Sequence, residues 1–542
     1  MPLRSPNPLS YALPALVGAL LLTANLASAQ SPAGVPADSS LSAGWGTSRN
    51  LPSAPEPQLL PAVQVAQQTA APLPPTQSGN TGQSGPQATA APEPDYGASQ
   101  PAGAESNSEG SGSVDPETLF PHTDSGRYWI SGQANVILQW HPSFYAQYSG
   151  PNSMTNWAQS ATTHVLTLFT GYELTRTTEV FADLEDATGS GIGNANGLAG
   201  YSNMDSVRLA NGVALSRSPY LARFMLRQII PLTQERQEAD RDELHLATSL
   251  PVRRIEFRLG KFDLTDFLDL NTYGSDSHLQ FLNWTVDANG AYDYAADTRG
   301  YTDGAMVEYD DHWWSARFAE ALMPKTANGQ FLDADIARAR SENLELEARG
   351  NRVAHCPGVV RLLSYLNHAD MGNYEEAIRE FLDGETPTPE IVATRQQGRH
   401  KYGFGLNFEQ EIAPQLSVFG RLGWSDGRNE SFAYTEDDRT LELGALAQGG
   451  LWHRRSDRAG VAVVGNGIVA AHQQYLALGG LGFILGDGGL TYGHEKIVET
   501  FYTAHLWRGF FASYDFQYID NPGYNQARGP VAISAVRFHT DF

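Results

Sequence analysis

The chain has 542 residues, with 36 Lys and Arg against 60 Asp and Glu and a formal net charge of −24. Such a charge argues against a nucleic-acid-binding protein, which needs basic residues to neutralise phosphates. The single cysteine, Cys356, excludes an intramolecular disulfide framework and a Cys-rich metal site. No apolar run of 18 residues follows residue 30, so the sequence predicts no helical membrane spans.

The first 29 residues have the pattern of a secretory signal peptide. Arg4 precedes an apolar stretch from Leu13 to Leu26, and Ala27, Ser28 and Ala29 form a small-residue cleavage site. The alternative is an uncleaved membrane anchor. We expect the mature chain to begin near Gln30 and to lie outside the cytoplasm.

Residues 30–118 form a segment rich in Pro, Ala, Ser, Gln and Gly, with Trp45 and Tyr96 as its aromatic residues. Such a segment buries too little apolar surface to offset the entropy lost on ordering. We therefore predict a disordered periplasmic linker, long enough to reach peptidoglycan. It carries a charge of −7, which leaves −18 for the domain predicted over 119–542.

From about residue 120 the sequence alternates between apolar and polar residues. In 127–140, for example, Tyr128, Val136 and Leu138 share one parity, while Gln133 and Asn135 share the other. Period two predicts a strand with one apolar and one polar face. Sixteen segments qualify: 127–140, 163–174, 178–187, 220–231, 253–263, 303–310, 312–322, 343–350, 358–368, 401–411, 415–425, 440–452, 458–467, 496–506, 510–519 and 531–542.

These strands predict an all-β fold, a 16-stranded antiparallel transmembrane β-barrel, rather than a soluble sandwich. The second face is charged, aromatic residues cluster at strand ends, and the final strand ends on Phe542. Short turns alternate with long loops, as in outer-membrane barrels. The connection 232–252 breaks this pattern, and we expect it to extend its strands. In the loop 369–400, the segment Asn373–Leu382 has helical spacing and predicts a short helix.

Several motifs resemble those of the carbohydrate-selective porins of the OprB type. They cover most of 127–542 and do not include the linker. The resemblance implies a sixteen-stranded outer-membrane channel for sugars. The matching segments are Arg258–Phe262 with Asp266–Phe267, Gln280–Trp284, Tyr294–Tyr301, Phe419–Gly427, Tyr434–Glu436, Tyr475–Phe483, Gly486–Gly488, Asn521–Asn525, Arg528–Pro530, Gln133 and Tyr148–Ser153.

Strand parity predicts which charged side chains face the lumen. Charged groups there would supply strong hydrogen bonds to sugar hydroxyls, and binding must stay weak enough for exit. The alternative is that they only hold the barrel wall rigid. The predicted pore-lining residues are Glu179, Asp183, Arg223, Arg227, Arg254, Glu256, Arg258, Arg317, Arg421, Asp515 and Arg537.

The loop 264–302 is the longest connection and is rich in Asp, Asn, Tyr and Trp. Loops of this length usually have a function, and we expect this one to fold inward and narrow the pore. The alternative is an outer loop packed on its neighbours. Its candidate constriction residues are Asp266, Asn271, Asp276, Asn283 and Trp284.

Neither a metal site nor a cofactor site is expected. The glycines between 479 and 489 lack the Lys-Ser/Thr of a phosphate loop. The acids between 303 and 311 do not have the spacing of an EF-hand.

The predicted function is passive, carbohydrate-selective diffusion of mono- or oligosaccharides across the outer membrane of a Gram-negative bacterium. The alternatives are a general or cation-leaning diffusion porin, a surface or cell-wall interaction protein, and a secreted glycosidase. No catalytic residues are expected. Predicted partners are outer-membrane lipid, the barrel assembly machinery through Phe542, and peptidoglycan through the linker. The chain is expected to be a homotrimer or a monomer.

Overall fold

The computed structural model describes residues 117–122, 126–209, 215, 219–353 and 356–542. The predicted signal peptide and nearly all of the predicted linker lie outside these residues.

The described chain forms a closed antiparallel barrel of sixteen strands, which confirms the predicted fold. Each strand pairs with its neighbour along the chain, and the last strand pairs with the first to close the barrel. The barrel strands are β1 (Tyr128–His141), β2 (Gln159–Thr175), β3 (Thr178–Thr188), β4 (Tyr220–Pro231), β7 (Arg254–Phe262), β8 (Thr302–Asp310), β9 (Trp314–Leu322), β10 (Arg340–Val353), β11 (Cys356–Met371), β12 (Gln396–Ala413), β13 (Leu416–Ser425), β14 (Arg439–Gln448), β15 (Arg458–Gly467), β16 (Glu495–Trp507), β17 (Phe510–Asp520) and β18 (Val531–Asp541).

The connection between β4 and β7 does not extend its strands, so that expectation was wrong. It forms a separate two-stranded hairpin of β5 (Arg236–Glu238) and β6 (Ser249–Pro251), which pair with each other. The wall strands are already fully paired with one another. The extra backbone groups are therefore satisfied within the connection itself.

Helices occur in the connections. The α-helices are α1 (Trp284–Asp287), α2 (Tyr374–Leu382) and α3 (Ala470–Ala477), and the 3-10 helices are Ile192–Ala195, Leu264–Asp266, Ile391–Thr394, Gly449–Trp452 and Pro522–Tyr524. α2 is the predicted outer-loop helix, and the Asn373 side chain accepts a hydrogen bond from the Glu376 N–H at its start. Within the described residues, no helix has both the length and the apolarity to cross a bilayer.

The two ends of the barrel differ. At one end, here called the turn side, β2–β3, β8–β9, β10–β11, β12–β13 and β16–β17 are joined by two to three residues. At the other end, the loop side, the connections are long. Phe542 at the C-terminus and the β5–β6 hairpin lie on the turn side. Short periplasmic turns and long outer loops are typical of bacterial barrels.

Side chains alternate across the wall as the sequence predicts. On β1, Ile130, Val136 and Leu138 point outward and are exposed, whereas Asn135 and Gln139 point inward and are buried. The outward apolar face suits lipid, and the inward polar face lines the lumen. Outward aromatic residues lie at the turn-side strand ends, including Tyr128, Tyr172, Trp314, Trp507 and Phe510.

Candidate functional site

The inner wall carries a continuous chain of ion pairs, here called the ion-pair belt, which crosses eight strands from β3 to β12. Its centre is Glu256, whose carboxylate contacts three guanidinium groups: Arg227 at 2.8 Å, Arg254 at 2.6 Å and Arg258 at 2.7 Å. Arg227 continues the belt to Glu179 on β3 at 2.9 Å.

The belt runs on from Arg258 to Glu308 at 2.8 Å. Arg317 then bridges Glu308, Glu345 and Glu347 at 2.8, 2.9 and 3.0 Å. Arg361 closes the series by contacting Glu347 at 2.9 Å and Glu409 at 3.4 Å. Each buried charge thus has an opposite charge beside it, which is what burial of charge requires.

On the opposite wall, from β13 to β18, charged side chains bind backbone groups as well as other side chains, such as the Glu442 carboxylate that lies 3.0 Å from Arg421. Arg421 donates to the Val286 carbonyl at 2.8 Å, and Arg537 donates to the Ser277 carbonyl at 2.6 Å. Glu499 accepts from the Leu282 N–H at 2.6 Å. All of these backbone groups belong to the loop between β7 and β8, residues 263–301.

The loop 263–301 lies inside the barrel and reaches the turn-side half of the lumen. The first part of the loop, which runs from the loop side toward the turn side, is held by two hydrogen bonds to the wall. The Asp269 N–H donates to Glu345 at 2.7 Å, and the Thr272 N–H donates to Glu409 at 2.6 Å. The second part of the loop, which runs back toward the loop side, is held where the Tyr365 hydroxyl donates to the Ala291 carbonyl at 2.8 Å. Because its partners lie on strands around most of the wall, the loop divides the lumen.

A second loop, between β3 and β4, also folds inward, and the sequence analysis did not predict this. Asn135 on β1 donates to Asp205 at 2.7 Å, and Asn203 donates to Thr163 on β2 at 2.8 Å. The two inserted loops pair through the Trp284 N–H, which donates to the Tyr201 carbonyl at 2.8 Å. Burial raises the pKa of Asp205.

The β5–β6 hairpin enters the lumen from the turn side. Its tip residue Leu246 is 2 % exposed and joins a buried cluster with the inward-facing Phe181. The Leu246 N–H donates to Glu179 at 3.2 Å. Arg241 donates to the Tyr128 carbonyl at 3.0 Å and lies over the Trp129 ring. The hairpin tip therefore occupies the turn-side lumen beside β1 to β4.

A group of polar and aromatic side chains lies in the space left between these insertions, and we call it the eyelet. It is formed by Asp183, Arg223, Asp266, Tyr220 and Tyr301. Arg223 contacts Asp183 and contacts Asp266 at 2.6 Å. The Tyr220 and Tyr301 rings meet edge to face at 6.4 Å between centroids, and both hydroxyls donate to Glu185.

Two cations flank these rings. The Arg299 guanidinium lies 3.9 Å from the Tyr220 centroid and the Lys261 ammonium lies 5.7 Å from the Tyr301 centroid, distances at which cation–π attraction acts.

Two carboxyl groups near the eyelet have raised pKa values. Burial and the neighbouring Asp266 raise the pKa of Asp263 to about 8. Burial and Asp242 raise the pKa of Glu243, on the hairpin tip, to about 7.

The structure places all eleven predicted pore-lining residues on the inner wall. Six of them belong to the ion-pair belt: Glu179, Arg227, Arg254, Glu256, Arg258 and Arg317. Asp183 and Arg223 belong to the eyelet. Arg421 and Arg537 hold the inserted loop, and Asp515 accepts from Gln517. Whether any of them contacts a sugar remains a prediction.

The five candidate constriction residues all lie on the inserted loop and divide into two groups. Asp266 and Asp276 keep 23 % of their side-chain surface exposed, so they face open space. Asn271, Asn283 and Trp284 are buried anchors. Asn271 donates to Asn407 at 2.8 Å, Asn283 donates to Gln517 at 3.1 Å, and the Trp284 ring stacks on Tyr434 at 4.2 Å.

The sequence analysis missed several belt residues that strand parity would have identified. They are Glu308, Asp310, Glu345, Glu347, Arg361 and Glu409, all buried on inward faces. The sequence shows Glu308 and Asp310 only as part of an acidic cluster at 303–311, whereas the structure pairs each with arginines. Among the described residues, no group of three His, Cys, Asp or Glu side chains is arranged to hold a metal ion.

Comparison with known proteins supports this architecture. The barrel is similar to a structure of OprB from Pseudomonas putida, with a TM-score of 0.58, 12 % identity, and coverage of 77 % of this chain and 94 % of that chain. At this identity the likeness establishes the fold alone. The outer-membrane channel DcaP of Acinetobacter baumannii matches at a TM-score of 0.41 and 8 % identity, covering 77 % of this chain and 97 % of that chain. No curated protein sequence matches the chain.

The family model of the carbohydrate-selective porins, the OprB family, matches residues 154–542. The match spans well over half of the chain and includes the inserted loops, the eyelet and the whole belt. Such channels let sugars diffuse passively through the outer membrane. The chain therefore belongs to the OprB family of carbohydrate-selective porins.

Proposed function

We propose that sugars cross the barrel through the eyelet, along the inner faces of β3, β4 and β7. The observation that carries this route is the distribution of solvent exposure. Asp266 keeps 23 % of its side-chain surface exposed and Tyr220, Tyr301 and Arg299 are half-buried, whereas on the opposite wall Arg421 is only 1 % exposed. Lumen groups that keep contact with water mark the open passage.

The chemistry of the eyelet suits a neutral, hydroxyl-rich solute. Arg223 and Asp266 offer a charged donor and a charged acceptor, which form stronger hydrogen bonds than neutral groups. The Tyr220 and Tyr301 rings offer apolar surface to the C–H faces of a pyranose ring. Because the ions are already paired with each other, binding is weak enough to permit release.

The ion-pair belt lies on the turn side of the eyelet, in the wall beside this route. Its arginines and acids alternate, so the wall presents donors and acceptors without a large net field. Because nearly all belt residues are buried, a sugar on this route contacts the more exposed eyelet groups and not the belt itself. We infer that the belt keeps the wall beside the route rigid.

Single-channel conductance in a planar bilayer tests the route, with glucose or maltose titrated into the bath. We expect the wild type to show concentration-dependent block. Tyr301→Ala should weaken the block constant about tenfold, which corresponds to about 1.4 kcal/mol. The matched control is Tyr514→Ala, because Tyr514 faces outward and is 49 % exposed.

Two outcomes would contradict the proposal. Ohmic current that no sugar reduces would favour the alternative of a general or cation-leaning pore, which the −18 charge of 119–542 also favours. Block that is equally strong in Tyr301→Ala would place the passage elsewhere in the lumen.

We further infer that the chain has no catalytic activity, since channel families such as this one catalyse no reaction. Hydrolysis of a polysaccharide by the purified barrel would contradict this inference. The glycosidase and cell-wall-binding alternatives would then regain weight.

The remaining partner assignments are also proposals. We propose that the Phe542 strand is recognised by the barrel assembly machinery, and that residues 30–118 lie in the periplasm and contact peptidoglycan after removal of the signal peptide at residue 29. The oligomeric state, homotrimer or monomer, is open to measurement by light scattering in detergent. Pull-down of peptidoglycan with and without residues 30–118 tests the linker.

A further inference from the structure

Arg299 lies at the loop-side edge of the eyelet, in a tight turn over 297–301. The Asp297 carboxylate accepts from the Arg299 N–H at 2.8 Å and from the Tyr301 N–H at 3.3 Å. The Asp297 N–H donates to the Tyr301 carbonyl at 2.9 Å, and Gly300 has a φ of +97°, which a residue with a side chain rarely adopts. The backbone of the turn is therefore fixed by bonds within the turn itself.

The turn is also tied to three other parts of the chain. The Tyr434 hydroxyl donates to the Asp297 carbonyl at 2.6 Å. Thr298 donates through its N–H to the Gly329 carbonyl at 3.0 Å and through its hydroxyl to the Arg208 carbonyl at 2.5 Å. These bonds do not involve the Arg299 side chain, so the turn holds its shape without using the guanidinium group.

The guanidinium group of Arg299 has open donors. It is half-buried and lies 3.9 Å from the Tyr220 centroid, yet it forms no ion pair with a carboxylate of the described residues. Residues 210–219, which lead to Tyr220, include no Asp or Glu. Arg223 in the same eyelet, by contrast, is engaged by two carboxylates. The N–H groups of Arg299 are thus available to a solute.

A second cation lies near the same edge. The Lys261 ammonium lies 5.7 Å from the Tyr301 centroid and donates to the Leu221 carbonyl at 2.9 Å. Like Arg299, it pairs with no carboxylate in the part of the chain that the structure describes. Both cations act electrostatically on Asp297, whose carboxylate is already occupied by the N–H groups of the turn. Two positive charges against one negative charge make this edge locally positive.

The other acids around the eyelet are engaged or neutral. Glu185 accepts from both tyrosine hydroxyls of the eyelet, and Arg223 holds both eyelet carboxylates. Burial and Asp266 raise the pKa of Asp263 to about 8, so this carboxyl is mostly uncharged at pH 6. An anion that approaches Arg299 therefore meets little unpaired negative charge.

A carboxylate is the group that such an arginine binds best. The planar guanidinium presents its N–H groups as a fork that matches two carboxylate oxygens, and charge-assisted hydrogen bonds are about twice as strong as neutral ones. Half-burial strengthens the attraction, because less water screens it. A solute that also suits the eyelet offers hydroxyls to Arg223 and Asp266 and C–H surface to the tyrosine rings. A monosaccharide that carries a carboxylate meets all of these demands.

We propose that the channel admits uronic acids as well as neutral sugars, and that Arg299 binds their carboxylate at the loop-side edge of the eyelet. This inference rests on the proposed sugar route through the eyelet. Lys261 attracts the anion toward this edge, and the eyelet groups then bind its hydroxyls as they bind those of a neutral sugar. Arg299 thereby sets the charge preference of the channel and has little effect on glucose.

Current block in a planar bilayer tests this assignment, with potassium glucuronate or glucose titrated against the full-length channel at pH 6. We expect the wild type to bind glucuronate about fivefold more tightly than glucose in 0.1 M KCl. In 1 M KCl most of this difference should disappear, because the screening length falls from about 10 Å to about 3 Å. Arg299→Gln should weaken glucuronate binding about tenfold and glucose binding less than about twofold. Arg299→Lys keeps the charge but loses the fork, so its glucuronate binding should be intermediate.

Arg338→Gln is the matched control. Arg338 also lies in a loop-side connection, but its side chain is 66 % exposed and lies 4.0 Å from Asp335. The control removes the same charge as Arg299→Gln and should leave both block constants unchanged. Heat-modifiable gel migration confirms that the barrel of each variant is folded.

Three results would contradict the proposal, and they are distinguishable. Equal weakening of glucuronate and glucose binding in Arg299→Gln would show that Arg299 only supports the Tyr220 ring. Block of the wild type by glucose but not by glucuronate would show that the acids of the eyelet exclude anions. Both of these results would overturn the uronate assignment and keep the route. A wild type that neither solute blocks would overturn the route as well.

Discussion

The ring of the C-terminal Phe542 lies over Gly132 on the outer face of the barrel, at the seam between the first and last strands. A Cβ on Gly132 would come within 2.6 Å of Cε2 of Phe542. The two residues also exchange backbone hydrogen bonds, at 2.7 Å from the Gly132 N–H and 2.8 Å from the Phe542 N–H. The absence of a side chain at position 132 lets the ring cover the seam.

Gly132→Val should destabilise this seam. The added side chain meets both the Phe542 ring and the Thr167 carbonyl, which lies 2.7 Å from the built Cβ. Overpacking of this kind costs about 1–3 kcal/mol. The measurement is the temperature at which the folded band is lost on a heat-modifiability gel.

Gly465→Val is the matched control for that experiment. Gly465 lies on β15, and a Cβ there would meet nothing within 4 Å. We expect its transition temperature to stay near that of the wild type. An equal decrease of the transition temperature in both variants would show that an added side chain is tolerated no worse at the seam than elsewhere on the wall.

Glu256→Gln should destabilise the ion-pair belt. Glu256 contacts Arg227, Arg254 and Arg258 and is 1 % exposed. Neutralising it leaves three buried guanidinium groups without their shared partner, and breaking a buried ion pair costs roughly 3–5 kcal/mol. Unfolding by guanidinium chloride in detergent measures the loss, and the reversal potential should shift toward anion preference.

Glu320→Gln is the control, because Glu320 is 42 % exposed and lies 3.8 Å from Arg340. An exposed pair of this kind contributes about 0–1 kcal/mol. If both variants lost the same free energy of unfolding, the buried belt would contribute no more to stability than an exposed ion pair does.

The wall was predictable from sequence, but the contents of the lumen were only partly so. Alternation is a local property, so residues such as Arg227 and Glu256 could be assigned to the inner face from parity alone. Glu345 and Glu347 obey the same rule, and strand parity alone places them on the inner face as well. The inward course of the loop 263–301 was expected from its length and composition.

The paths of the other insertions could not be derived in this way. Asp205 and Leu246 contact wall residues that are far away in the chain, and nothing near them in sequence indicates that contact. The loop 189–219 has no periodic pattern to orient it. The connection 232–252 was expected to extend its strands. Its length alone does not show that it forms a two-stranded sheet of its own.

Leu246→Asp should release the hairpin tip from the lumen. A carboxylate in the apolar site beside Phe181 and Gly171, where a Cβ on Gly171 would be 3.2 Å from Leu246 Cδ2, carries a large desolvation cost. We expect higher single-channel conductance and a weaker current block by sugar. Thr248→Asp, at an exposed position of the same hairpin, should leave both unchanged. Unaltered conductance in Leu246→Asp would show that the tip does not narrow the passage.

The ion selectivity of the channel should depend on pH through Asp263, beside the eyelet. Its carboxylate accepts from the Thr265 N–H at 2.9 Å, and its pKa is raised to about 8 by burial and by Asp266. A carboxyl with a raised pKa is neutral below that pKa and negative above it. The cation preference should therefore increase between pH 6 and pH 9, as a negative charge forms near Arg223 and Asp266.

Reversal potentials in a KCl gradient measure this change, with Asp263→Asn as the test variant. Glu243, whose pKa is raised to about 7, contributes the lower part of the transition. Asp263→Asn should thus abolish the part near pH 8 and keep the part near pH 7, whereas Glu243→Gln should do the reverse. A profile that is the same in Asp263→Asn and the wild type would show that Asp263 does not face the ion path, because a charge that forms beside a narrow passage must alter the ions that enter it.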